Sequence, residues 1–175
     1  TAANACFDEP KQKLMEYCIE NLNALVKVAE EENVILLLGT VMGMDSPCNA
    51  STPIVLTVDE VAEIIEQIGS SYLAAYADTQ VLSIRGESLT DWFDRLGEKV
   101  RLVRFTDGNY NGYRIWGKGV LPAEKLAEEI YRTGFNGLIS FQIPGERYCE
   151  NPKDAQKQNH FRALSAWREV MDCQR

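Results

Sequence analysis

Apolar positions recur at helical spacing from Pro10 to Glu32, where Leu14, Cys18, Leu22, Leu25, Val26 and Ala29 fall on one face. The run Val34-Ile35-Leu36-Leu37-Leu38 follows, apolar without alternation, which predicts a parallel strand buried on both faces. Gly39 to Pro53 reads as a loop. Thr57-Val58-Asp59-Glu60 is a capping box that opens a helix with an apolar stripe of Val58, Val61, Ile64, Ile65 and Ile68, closed by Gly69. Strands are predicted at Leu73–Asp78, Val100–Thr106 and Leu138–Ile143. Helices are predicted at Ser88–Leu96, from Pro122 as first-turn residue to about Thr133, and from Asp154 to about Met171. Asp107–Gly119 reads as a Gly- and Asn-rich loop.

Four strands, each followed by a helix, predict a parallel sheet with right-handed crossovers. Strand-to-helix loops are longer than helix-to-strand loops, which suits a barrel working at its strand C-termini. Pattern alone also admits an open doubly wound sheet. No linker or low-complexity segment interrupts the chain, so residues 1–175 are expected to form one domain.

Composition narrows the function classes. The chain has 175 residues, 45% hydrophobic and 25% charged, the balance of an ordinary globular protein. A net charge of −8, with no Lys/Arg run, argues against nucleic acid and anionic lipid as partners. The longest apolar run is far too short to span a bilayer. Cys6, Cys18, Cys48, Cys149 and Cys173 are scattered, odd in number and without a Cys-x-x-Cys pair, so reduced thiols and a cytoplasmic location are expected. The chain starts at Thr1 with no secretory pattern, so Asn49-Ala50-Ser51 reads as a chance glycosylation match.

Several segments in series carry a resemblance: Ala29 to Leu38, Tyr76-Ala77-Asp78-Thr79, Trp92 to Arg101, Gly117-Lys118-Gly119 before a helix, and Gly134 to Phe141. In order and spacing the chain resembles the xylose isomerase-like TIM-barrel sugar isomerase/epimerase family, nearest the ketose and fructoselysine 3-epimerases. The resemblance implies an α/β fold, a partial (β/α)8 barrel made of roughly the last four βα units. Thr1 to Ala5 resembles the end of the family's fourth strand. Four units leave open sheet edges, so self-association or a partner chain covering them is expected.

The family implies one divalent cation, Mn²⁺, Mg²⁺ or Co²⁺, held by Glu, Asp, His and Glu at successive strand ends, with the two glutamates moving the proton. These positions fall on Gly39, Asp78, Arg104 and Gln142, and a further family histidine falls on Val81. Only Asp78 is retained, so no metal cofactor is expected and no catalytic residue stands out beyond the candidates Asp78, Arg104 and Gln142. Asp78 and Arg104 are expected to pair. Trp116, in a polar loop, is the aromatic expected to stack on a sugar, with Lys118 and Asp107 as further contacts; Asp107-Gly108-Asn109 reads first as turn chemistry. His160, Glu146 and Arg147 read as surface groups, Trp92 and Trp167 as core. The expectation is a sugar epimerase-like pseudoenzyme that binds or assembles. The alternatives are an isomerase with metal-independent chemistry, using Asp78 as base and Arg104 as oxyanion partner, and an interaction subunit that completes a barrel.

Overall fold

A computed structural model describes residues 4–5, 9–41 and 52–173. The chain orders its elements as β1 (Asn4–Ala5), α1 (Lys11–Glu31), β2 (Leu36–Leu38), β3 (Thr52–Pro53), α2 (Val58–Ile68), β4 (Leu73–Asp78), α3 (Thr79–Arg85), α4 (Leu89–Leu96), β5 (Val100–Arg104), β6 (Asp107–Asn109), β7 (Gly112–Arg114), α5 (Ala123–Arg132), β8 (Leu138–Ser140) and α6 (Pro152–Asp172). Strands β2, β4, β5 and β8 form a parallel sheet in that spatial order, as the four predicted βα units require. Leu38 pairs with Ala75, Asp78 with Arg104, and Arg104 with Ser140, so the strand ends lie level.

The pleat divides the sheet. Leu38, Leu73, Ala75, Ala77, Val103 and Phe105 join the helices in one core with Ile64, Trp92 and Ile130. Tyr76, Asp78 and Arg104 point to the opposite face. Trp92 is fully buried, and its indole N–H donates to Glu87 Oε2 at 3.0 Å, while Glu87 Oε1 accepts the N–H of Val58 at the start of α2. One carboxylate thereby ties α2 to α4.

Several expectations shift. Val34 and Ile35 are about half exposed and outside the strand, Leu36 and Leu37 are half-buried, and only Leu38 is fully buried, so the predicted two-sided burial is confined to the end of the run. β2 is an outer strand of the four-stranded sheet. The third and fourth predicted strands end earlier, at Arg104 and Ser140. The predicted loop after β5 contains a hairpin, β6 against β7. Pro122 is the residue before α5 rather than inside its first turn. Helix α3 has no counterpart among the predicted elements: Asp78 caps it and Gly86, with φ of 74°, ends it. The capping box at Thr57 is present, and a second joins Ser88 to Asp91. Most of the Gly39–Pro53 loop, with Cys48 and Asn49, lies outside the described residues, as do Cys6 and Thr1 to Ala3. Among the described residues no helix is long and apolar enough to cross a membrane.

Candidate functional site at the strand ends

The site grows from strand parity. Residues two apart on a strand share a face, so Tyr76 and Asp78 on β4 stand together beside Arg104 at the end of β5 and Gly39 just past β2. Asp78 is 3% exposed and ends its strand as the cap of α3. Its Oδ1 accepts the N–H groups of Gln80 (3.0 Å) and Val81 (3.3 Å) and the hydroxyl of Thr106 (2.8 Å). Its Oδ2 accepts the Tyr113 hydroxyl at 2.8 Å, delivered by the β6–β7 hairpin, and lies 3.6 Å from Arg104 Nη1. The carboxylate is thus surrounded by donors, as a buried charge requires.

The electrostatics oppose one another. Burial pushes the Asp78 carboxyl above the usual range, while Tyr113, Thr106, Arg104 and the Val81 N–H pull it back down. Burial first, and then the Asp78 charge, drive the Tyr113 phenol up, which keeps it a donor. The Arg104 guanidinium lies 4.9 Å from the centre of the Tyr76 ring, a cation–π contact. The same ring lies beside Gly39, where a Cβ would meet its Cε1 at 2.5 Å and its Cζ at 2.6 Å. Position 39 therefore has no room for a side chain while Tyr76 keeps this rotamer. The Thr79 hydroxyl donates to the Thr106 carbonyl (2.7 Å) and accepts the Thr106 N–H (2.8 Å), holding the end of β4 to the chain leaving β5.

The sequence candidates separate. Asp78 and Arg104 come together as expected. Gln142 lies half-buried two residues past β8. Val81 is buried in α3. Asp107 is 1% exposed, and its carboxylate is the centre of its own loop: Oδ2 accepts the N–H groups of Gly117 and Gly119, both at 2.9 Å, and Oδ1 those of Gly108 (2.7 Å) and Leu121 (3.1 Å). The Gly-Lys-Gly amides are thereby turned onto an internal carboxylate, and a Cβ on Gly119 would collide with it. Trp116 does not match the expected sugar-stacking aromatic. It is 3% exposed, its ring centre is 4.4 Å from that of Phe105, its indole N–H donates to the Phe105 carbonyl (3.2 Å), and its backbone N–H donates to Asn159 Oδ1 (2.7 Å). A polar stretch of sequence conceals that Phe105 and α6 close over the ring. Lys118 is exposed and borders a pocket of about 410 Å³ with Arg114, Tyr148 and Asn151.

His160 is exposed and edge-on to Phe141. Glu146 and Arg147 are exposed, Arg147 donating to the Asn111 carbonyl. Trp167 is partly buried against the core. Cys18 is buried, and Cys149 and Cys173 are exposed. Residues that the sequence reading missed are Tyr76, Thr79, Thr106 and Tyr113. Period-two spacing from Asp78 marks Tyr76; nothing local marks Tyr113, which lies 35 positions from Asp78 along the chain.

A parallel sheet with helices between its strands and polar side chains gathered at the strand ends defines part of a β/α barrel, facing its functional end. The chain belongs to the xylose isomerase-like TIM barrel family, whose model matches residues 3–167. It is 26% identical over 170 residues to fructoselysine 3-epimerase of Escherichia coli O157:H7, covering 94% of this chain and 58% of that protein. It is 25% identical over 119 residues to D-psicose 3-epimerase of Enterocloster bolteae, covering 68% and 36%. The crystal structure of the IolI protein with a bound zinc atom superposes with a TM-score of 0.75 at 14% identity, covering 94% of this chain and 60% of that one. The chain thus spans somewhat over half the length of the fructoselysine 3-epimerase it matches.

Proposed function

We propose that this chain is a member of the family in which a packed Tyr–Arg–Asp cluster has taken the place of the metal and proton-transfer groups, and that it acts as a binding or structural protein. The observation that carries this reading is the chain of contacts Gly39–Tyr76–Arg104–Asp78. At two of the three replaced positions the occupant depends on its neighbour: glycine at 39 admits the Tyr76 ring, the ring carries the Arg104 guanidinium, and the guanidinium faces the one remaining carboxylate.

The residues present do not suit a divalent cation. Of the four family positions one offers a carboxylate, one has no side chain, one is a fixed cation and one is a neutral amide. Among the described residues no three His, Cys, Asp or Glu side chains gather as a ligand set. The rival reading, with Asp78 as a metal-independent base, needs that carboxylate open to substrate; burial and four hydrogen-bond donors count against it. Four further βα units, from this polypeptide or another, would cover the outer strands β2 and β8. The scattered cysteines favour a cytoplasmic setting, where they stay reduced.

The test is a 3-epimerisation assay on fructoselysine and on free ketoses with Mn²⁺, Mg²⁺ or Co²⁺. The reading predicts no turnover above the buffer rate. Turnover that a chelator abolishes would overturn it.

A further inference from the structure

Resting on the reading that the cluster replaces the metal, we infer that Arg104 is a receptor for an oxyanion, so that the ligand at the strand ends is a polyol bearing a carboxylate or a phosphate. The resemblance places a divalent cation at this point of the barrel, and here the positive charge is built into the chain. A guanidinium carries five N–H donors in a planar fork that fits the paired oxygens of a carboxylate or phosphate.

Arg104 is held but not consumed. Its closest carboxylate, Asp78, lies at 3.6 Å, longer than a hydrogen bond, and already receives two backbone N–H groups and two hydroxyls. Tyr113 touches the guanidinium through the same hydroxyl that serves Asp78. Tyr76 supports it at 4.9 Å from the ring centre. Asp78, Tyr113 and Tyr76 hold the guanidinium in place, yet its side chain is 31% exposed, and no hydrogen bond from it to another described residue fills the rest of the fork. Register sets Ser140 level with Arg104. A hydroxyl level with a pre-oriented cation suits the oxyanion and hydroxyl groups of an acidic polyol. The arrangement leaves a neutral sugar without its strongest partner.

The experiment follows the Arg104 side-chain Nε–H resonance by ¹⁵N NMR in the full chain during titration with inorganic phosphate, gluconate and sorbitol. The assignment comes from R104K. The expected result is a saturable shift with phosphate or gluconate, none with sorbitol, and binding at least tenfold weaker in R104K and R104Q, read in wild type and variants alike from the backbone amide resonances of Asp78 and Ser140. Which anion saturates at lower concentration tells phosphate from carboxylate recognition. No saturable shift with either anion, or binding that R104K leaves unchanged, overturns the inference. If R104Q does not fold, the wild-type and R104K titrations decide alone. A parallel Mn²⁺ titration keeps the two readings apart. Paramagnetic broadening around Asp78 overturns the metal-replacement reading itself, whereas silence toward both Mn²⁺ and the anions overturns only the anion site.

Discussion

The ring of Tyr76 occupies the space that a side chain at Gly39 would need, with its Cε1 2.5 Å from where a Cβ would stand. Gly39 just past β2 and Tyr76 on β4 lie side by side, because Leu38 pairs with Ala75 and the following residues continue level. A glutamate at position 39 and this placement of Tyr76 therefore exclude one another. The glycine at 39 and the position of the ring are therefore structurally coupled.

That coupling is measurable. Gly39→Ala is expected to destabilise the protein by about 1–3 kcal/mol through overpacking. In a Tyr76→Ala background most of that cost should vanish, because the ring is no longer there. A double-mutant cycle by urea denaturation checks it; additivity of the two substitutions would show that the ring and the glycine do not share the space.

Asp107 organises the loop from Gly108 to Leu121 through four backbone N–H groups. Asp107→Ala leaves those amides without their acceptor and is expected to cost about 3 kcal/mol. Hydrogen exchange should speed up at Gly117, Gly119 and Leu121 ahead of the sheet. Unchanged protection at those three amides would remove the structural role assigned to this carboxylate.

Acid stability should respond to the Ser88–Asp91 capping box. The Ser88 hydroxyl and N–H hold the Asp91 carboxyl below its usual range. Protons therefore bind the unfolded chain more readily at this site. Its contribution is complete above the ordinary carboxylate value of about 4 and is lost as pH falls through the lower folded value. Asp91→Asn should be less stable than wild type at pH 6, with the gap closing toward pH 3. Denaturation midpoints across that range read the effect, and a constant gap would contradict it.

The four sheet strands were legible because each centres on a short apolar run, broken only by Arg101 in β5, and the pairing of Asp78 with Arg104 was legible through the resemblance, which puts both at strand ends. Helix α3 was not legible: Thr79 to Arg85 is short, rich in β-branched residues, and joins its strand without a break. It forms because Asp78 caps two of its N–H groups. The hairpin β6–β7 reads as turn chemistry until Asp107 gathers the following loop around itself. Trp116 misled for a physical reason, since its neighbours Gly117 to Gly119 are polar while its ring packs on Phe105 and its backbone N–H is taken up by Asn159, 43 residues away. Strand parity alone places Tyr76 beside Asp78; only the folded hairpin brings Tyr113 there.

The most direct measurement of the central claim is titration calorimetry of chelator-treated protein with Mn²⁺, Mg²⁺ and Co²⁺, supported by elemental analysis of the protein as purified. With Arg104 beside Asp78 and no side chain at Gly39, no stoichiometric binding is expected for any of the three ions. Tight one-to-one binding that Asp78→Ala abolishes would contradict the account, and would mean that Arg104 swings away to admit a cation beside the carboxylate it now faces.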